Sequence, residues 1–127
     1  MTPQPMGGSL PSLPPLIRLY HGTDLASANA IMINGLDVGA AVTLNGTGES
    51  WATSDRATAD WFAMANPANG PPARLEFDIP QPVLVALLSG MPIRASLHAA
   101  DDYEFLPGAY SLLNQSMQNC QVISPVP

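Results

Sequence analysis

The chain has 127 residues, of which 46% are apolar, and a formal net charge of −6. This length predicts one domain, which is large enough to bury a core without disulfides or structural metal. All four positively charged residues are arginines. An acidic chain without a basic patch argues against tight, nonspecific nucleic-acid binding. The single cysteine, Cys120, excludes an intramolecular disulfide, and no Cys/His spacing predicts a metal site.

The sequence also bears on location. No apolar run has the length of a membrane span, which predicts a protein without a membrane partner. A basic segment followed by an apolar one, as in a secretory signal, does not open the chain. We therefore expect a protein that is cytoplasmic or delivered as an effector by another route. The lack of lysine has two explanations: a coding bias, or the avoidance of ubiquitin attachment in a foreign cell.

Proline content marks the ends of the predicted domain. Residues 1–15 hold five prolines and two glycines, which predicts a flexible or polyproline-like leader. We place a single domain at residues 16–124 and a short tail at residues 125–127.

The first half of the chain predicts short strands and two capped helices. Apolar residues recur at three- and four-residue spacing in both helices, and Asn34-Gly35 is a typical helix end. The elements in chain order are a strand at Leu16–Tyr20, a helix capped by Asp24, a loop with one short strand at Ala41–Leu44, a strand at Ser50–Thr53 and a helix at Arg56–Ala65 capped by Ser54 or Asp55.

The second half predicts mainly strands. Within Arg74–Ile79 the alternation places Leu75, Phe77 and Ile79 inward and Arg74, Glu76 and Asp78 outward. The continuous apolar run Val83–Leu88 predicts a strand covered on both faces. Further elements are strands at Tyr103–Leu106 and Gln121–Ile123, with one or two helical turns at Ala109–Asn114. Helices early and strands late predict an α+β fold.

The step Tyr20-His21-Gly22-Thr23 follows the first predicted strand. Glycine allows a ligand to approach the backbone closely, and the backbone of Gly22 can bind a planar carboxamide. The imidazole of His21 can reach a ribose hydroxyl. The alternative is structural: His21 pairs with a nearby backbone group and Gly22 makes a turn.

Two further residues suggest a ligand site. Trp51 stands among small polar residues, so one face of its ring could stack on a flat heteroaromatic ligand, although a core position is the alternative. Glu104 lies between aromatic neighbours in a predicted strand, where a carboxylate needs solvent, a partner or a ligand. Asp102 shares its strand face if the strand extends back that far. The alternative is an exposed glutamate on an edge strand.

Together these segments resemble the diphtheria-toxin-like, His-Tyr-Glu class of the ADP-ribosyltransferase family. Leu19–Thr23 resembles the first catalytic strand, Trp51-Ala52-Thr53 with its following helix resembles the second motif, and Asp102–Gly108 resembles the third. The resemblance covers nearly all of residues 16–124. It implies a split β-sheet sandwich, in which a cleft separates two antiparallel-rich sheets, with two short helices early in the chain.

The resemblance implies a role for each matching residue. The implied substrate is NAD. His21 would hold its adenine-side ribose, and Gly22 would bind the nicotinamide amide, with Thr23 nearby. Trp51 would stack on the nicotinamide ring, beside Thr53. Glu104 would be catalytic together with His21, and would bind the 2′-hydroxyl of the nicotinamide ribose. Asp102, Tyr103 and His98 would lie on the acceptor side. His98 has a simpler alternative as a solvent-exposed loop histidine. No metal is implied.

The chain departs from the class at one position, because Trp51 stands where tyrosine is usual. His21 argues against the arginine-modifying branch of the family, in which the first motif has arginine at this position. Asp102-Tyr103-Glu104 nevertheless resembles the paired acidic residues of that branch.

The expected activity is mono-ADP-ribosyl transfer, a pentosyl transfer from NAD to a protein, a nucleic acid or a small molecule. A bacterial toxin or effector, with an immunity or antitoxin protein as partner, and a rifamycin-modifying-like enzyme both fit this size. The alternatives are an NAD glycohydrolase that uses water, and a binding module that has lost the chemistry.

Overall fold

The computed structural model describes residues 13–36, 50–65, 70–90, 93–95 and 102–126. Within these ranges the chain is an α+β domain built from six strands, four α-helices and a 3₁₀ turn, as the sequence predicted for the fold class. The elements are β1 (Leu16–Asp24), α1 (Leu25–Asn34), β2 (Ser50–Thr53), α2 (Arg56–Met64), β3 (Pro72–Pro80), α3 (Gln81–Gly90), β4 (Ile93–Ala95), β5 (Asp102–Phe105), the 3₁₀ turn (Pro107–Ala109), α4 (Tyr110–Ser116) and β6 (Gln118–Ile123).

The strands form one antiparallel sheet in the order β4-β5-β2-β1-β3-β6. β1 and β3 pair along their full length, from Leu16 opposite Pro80 to Asp24 opposite Pro72. β1 and β2, in contrast, are joined at a single register position, where Tyr20 faces Thr53. The sheet is therefore divided into two three-stranded halves, β4-β5-β2 and β1-β3-β6, and we call this junction the joint.

The first helix has the caps that its sequence predicted. The carboxylate of Asp24 accepts hydrogen bonds from the backbone N–H and the hydroxyl of Ser27, at 2.8 and 2.7 Å. At the other end Gly35 adopts a positive φ of 80°, and its N–H donates to the carbonyl of Ile31. These bonds satisfy backbone groups that a helix end otherwise leaves unpaired.

The core lies between one face of the sheet and the helices α1, α3 and α4. Alternate residues of β1 and β3 point into it, as the sequence predicted for β3. Its largest fully buried side chains are Phe105, Leu19, Leu75, Ile79 and Leu113. They pack with Ala28 of α1 and with Leu84 and Leu87 of α3.

The opposite face of β3 is not open to solvent, contrary to the prediction that Arg74, Glu76 and Asp78 face out. Arg74 is only 5% exposed. Its Nη1 lies 2.6 Å from Asp60 of α2, and its Nε lies 2.8 Å from Glu76. Arg18 of β1 pairs with Asp78 at 2.9 Å. Alternation predicted the two faces correctly, but it does not reveal that a second element covers the charged one.

The run Val83–Leu88 is a helix, contrary to the strand prediction. It forms the middle of α3, Gln81–Gly90, in which Leu84 and Leu87 are buried while Val85 is exposed. This three-residue spacing is that of a helix face. A short run of apolar residues fits a covered strand and a buried helix equally well, which is the reason for the error.

The remaining predictions have mixed outcomes. Strand β2 and helix α2 lie where expected, and Asp55 occupies the N-cap position of α2 without a side-chain hydrogen bond to the helix backbone. The expected helical turns near Ala109 are the 3₁₀ turn and α4, so α3 and α4 add two helices to the two expected early ones. The predicted strand at Ala41–Leu44 and most of the leader lie outside the described residues. Among the described helices, none combines the length and apolar character needed to cross a membrane.

Candidate functional site

Several of the residues that the sequence singled out lie on β1 and β2, the two strands that border the joint. The prediction placed His21, Gly22 and Thr23 just after the first strand, but β1 continues through them to Asp24. Pairing with β3 extends the strand, since His21 lies opposite Leu75 and Thr23 opposite Ala73. The motif is thus held on a rigid strand that borders the joint.

The imidazole of His21 bridges the joint. Its Nδ1 is hydrogen-bonded to the backbone carbonyl oxygen of Trp51 on β2. Because a carbonyl only accepts, Nδ1 carries the proton, and in the neutral ring Nε2 is left as an acceptor. Burial lowers the pKa of His21 below its ordinary value of 6.5, while the Trp51 carbonyl and the charge of Asp24 oppose the shift. The ring is therefore neutral at pH 7, with a defined tautomer.

Trp51 and Glu104 are cross-strand neighbours. They lie directly opposite each other in the antiparallel pairing of β2 with β5. Directly opposed residues share a sheet face, with Cβ atoms about 5 Å apart. The side chain of Trp51 is 37% exposed and that of Glu104 is half-buried. This face is the one opposite the core, so both side chains are directed away from the buried leucines and Phe105.

His21, Trp51 and Glu104 thus lie on three successive strands of the sheet, β1, β2 and β5. In a regular sheet two strand spacings amount to about 10 Å. Alternation along β1 places His21 on the face of Leu19, whereas Trp51 and Glu104 lie on the opposite face, so a neutral imidazole lies on one side of the joint and an indole and a carboxylate on the other. Such a set can bind a hydroxyl group, stack on a planar ring and stabilise a developing positive charge.

Beyond Tyr20, the β2 side of β1 has no strand partner among the described residues. Alternate residues of a strand direct their N–H and C=O groups to the same side, so the stretch His21–Asp24 presents backbone donors and acceptors to the joint. A ligand in the joint can bind these groups.

Neither a protein-family model nor a curated protein matches the chain. The geometry of the site is therefore the basis for a functional proposal.

Gly22 has a structural role that its sequence did not reveal. A Cβ atom at this position would lie 1.8 Å from the carbonyl oxygen of Ala59 and 2.8 Å from the backbone nitrogen of Ala63. The close approach that glycine permits here is that of helix α2 to strand β1. This side of Gly22 is filled by the helix, so a ligand can reach only its backbone groups.

Thr53 and Asp102 form the next cross-strand pair on the face of Trp51 and Glu104. Both are buried. The hydroxyl oxygen of Thr53 accepts the backbone N–H of Asp55 at 3.0 Å and so shapes the turn into α2. Asp102 is 4% exposed, and its Oδ1 has no hydrogen-bond partner among the described residues. A carboxylate so enclosed does not present itself to a macromolecular acceptor at the surface.

The other predicted site residues lie further from this face. Thr23 is half-buried near the end of β1. Tyr103 lies opposite Ala52 and packs against the core, on the side of β5 away from Glu104. His98 is outside the described residues. No group of three or more His, Cys, Asp and Glu side chains in the described part of the chain could hold a metal ion.

One residue at the site was missed by the sequence reasoning. The guanidinium carbon of Arg56 lies 6.0 Å from the ring centroid of Tyr20, next to the joint. The sequence could have indicated Arg56 by its position, because it is the first residue of the helix that directly follows the strand of Trp51.

Proposed function

We propose that this protein is an NAD-dependent mono-ADP-ribosyltransferase. The observation that carries the proposal is the position of Trp51, whose carbonyl accepts a hydrogen bond from His21 and which lies directly opposite Glu104 in the pairing of β2 with β5. The resemblance of the three sequence motifs implies these three residues as the NAD site. The division of the sheet at β1 and β2 supports the split-sheet fold that the same resemblance implies.

His21 and Trp51 would hold the substrate. The unprotonated Nε2 of His21 accepts a hydrogen bond from a hydroxyl of the adenine-side ribose. The partly exposed indole of Trp51 stacks on the nicotinamide ring. The backbone of Gly22, on the unpaired edge of β1, supplies a donor and an acceptor for the carboxamide. These contacts fix the bond between nicotinamide and its ribose close to Glu104.

Glu104 would act on the bond that breaks. Cleavage of the C–N bond leaves its electron pair on the nicotinamide nitrogen, and the sugar gains oxocarbenium character, as in glycoside hydrolysis. A fixed carboxylate that binds the ribose 2′-hydroxyl stabilises this positive charge. Nicotinamide leaves as a neutral molecule, so no general acid is required. The acceptor nucleophile then bonds to the anomeric carbon and releases its proton.

The test compares Glu104→Gln with the parent protein by the rate of nicotinamide release from NAD. Loss of the charge at this position should lower the rate about 100-fold or more. Asp55→Asn is the matched control, because it makes the same carboxylate-to-amide change at an exposed residue, and its rate should stay within about twofold of the parent. Turnover by Glu104→Gln at the parent rate would contradict the assignment of Glu104 as a catalytic residue.

The fate of the ADP-ribose distinguishes a transferase from a glycohydrolase and from a binding module. With labelled NAD and a cell lysate, a transferase labels a protein, a nucleic acid or a small molecule. An NAD glycohydrolase instead releases free ADP-ribose equal to the nicotinamide formed. A binding module without chemistry releases no nicotinamide. For a toxin or effector, expression should arrest growth and Glu104→Gln should relieve the arrest; an immunity or antitoxin protein would then be a further partner.

A further inference from the structure

We propose that Arg56, which lies over the ring of Tyr20 at the joint, binds the diphosphate of the dinucleotide. This assignment rests on the proposed function and adds to it the group that recognises the charged centre of the substrate. It gives the site a cation that the three motif residues do not supply.

The charge of the chain favours such a group. The two phosphates of a dinucleotide are anionic at neutral pH, and the chain itself carries a net charge of −6. A cation at the site offsets this repulsion and forms charge-assisted hydrogen bonds with the phosphates. The chain contains four arginines and no lysine, so only an arginine can supply a permanently charged cation for the diphosphate.

Two of the arginines are already committed. Arg18 lies 2.9 Å from Asp78 and Arg74 lies 2.6 Å from Asp60, and both also contact Glu76. The side chain of Arg94 is outside the described part of the structure. Arg56 is exposed and makes no ion pair within the described residues. Among the arginines with described side chains, it is the one available to a ligand.

The sheet register places Arg56 on the correct face. Its guanidinium carbon lies 6.0 Å from the centre of the Tyr20 ring. Tyr20 lies opposite Thr53, so these two residues share a face. Thr53 and Trp51 are two positions apart on β2 and therefore also share it. The guanidinium is thus held over the face that carries Trp51 and Glu104.

The contact with Tyr20 is compatible with ligand binding by Arg56. At 6.0 Å from the ring centroid the guanidinium is at the outer range of a cation–π attraction, and the side chain is exposed. Its N–H groups form a planar fork that matches two phosphate oxygens.

The covalent structure of the substrate agrees with this position. In NAD the diphosphate connects the two riboses, which the proposed site assigns to His21 and to Glu104. A group that binds the diphosphate must therefore lie beside the path between them. Tyr20 and His21 are adjacent on β1 and face opposite sides of the sheet, so a substrate that reaches both His21 and Glu104 passes through the joint, and Arg56 lies on the Glu104 side of it.

The test measures binding of two ligands to Arg56→Gln by calorimetry. ADP-ribose contains the diphosphate, whereas nicotinamide riboside contains the nicotinamide end without it. We expect ADP-ribose to bind about 10- to 100-fold more weakly than to the parent, with nicotinamide riboside unchanged. Arg56→Lys, which keeps the charge but not the fork, should bind ADP-ribose with an intermediate affinity.

Unchanged affinity of Arg56→Gln for ADP-ribose would overturn the assignment of Arg56 alone. Equal weakening for both ligands would also overturn it, because it would indicate a structural role for the side chain. If the parent protein binds neither ADP-ribose nor nicotinamide riboside, the proposed function itself fails.

Discussion

At the scale of single residues, His21 shows how local packing sets a chemical state. Burial favours the uncharged imidazole, and the carbonyl of Trp51 decides which nitrogen holds the proton. Both effects come from elements distant in sequence. The sequence could predict that a histidine lies beside a strand, but not its tautomer.

The lowered pKa of His21 predicts a pH dependence of stability. Above pH 6.5 the ring is neutral in both the folded and the unfolded chain. As the pH falls below 6.5 the unfolded chain takes up the proton first, so the free energy of unfolding falls until the folded-state pKa is passed. His21→Asn keeps an N–H near the position of Nδ1 but does not titrate.

Urea unfolding at pH 7.5, 6.5 and 5.5 checks this expectation. The parent should lose more stability between pH 6.5 and 5.5 than His21→Asn does. His98 is present in both proteins, so its contribution cancels in the comparison. Parallel pH profiles for the two proteins would contradict it.

Sequence reasoning was uneven at this scale. The motifs identified His21, Trp51 and Glu104, which the structure brings to adjacent strands. They did not reveal that helix α2 also approaches Gly22, on the side where a Cβ atom would lie. The burial of Asp102 also could not be predicted, since it depends on what covers the face of β5.

At the scale of elements, α3 offers a direct comparison of two leucines. Leu87 is 3% exposed and its neighbour Leu88 is 39% exposed. We expect Leu87→Ala to lower the free energy of unfolding by about 2 to 5 kcal/mol, because it leaves a cavity in the core. Leu88→Ala should cost less than about 1 kcal/mol. Thermal or urea unfolding of the two variants measures the difference.

The same two substitutions distinguish a helix from a strand at Val83–Leu88. A strand covered on both faces, which the sequence suggested, would bury both leucines and make the two substitutions similarly costly. The elements that the sequence predicted well have strong local signals, such as the Asp24 cap with the Gly35 terminus and the alternation of β3. Val83–Leu88 contains no polar residue that would reveal a helical or a strand periodicity, so only its packing against the sheet decides its secondary structure.

At the scale of the whole molecule, the joint predicts two halves of unequal stability. β1 and β3 have nine residues each and pair along their full length, whereas β2 and β5 have four residues each, and β2 meets β1 at one register position. Native-state hydrogen exchange should therefore show the amides of β2 and β5 exchanging about tenfold or more faster than those of β1 and β3. Uniform protection across the six strands would show that the sheet opens as one unit.

The global arrangement was the part least accessible from sequence. Alternation and caps predict elements one at a time, and the α+β class follows from their order. The strand order and the division at the joint depend on pairings between segments more than 30 residues apart, such as β1 with β3. No local pattern encodes them.

The bond between His21 and Trp51 has a consequence for how this site can evolve. The group that orients the imidazole belongs to the main chain, which every amino acid shares. The residue at position 51 can therefore be exchanged without disturbing that orientation, provided that β2 keeps its course. A change of side chain at this position then alters only the surface offered to a ligand.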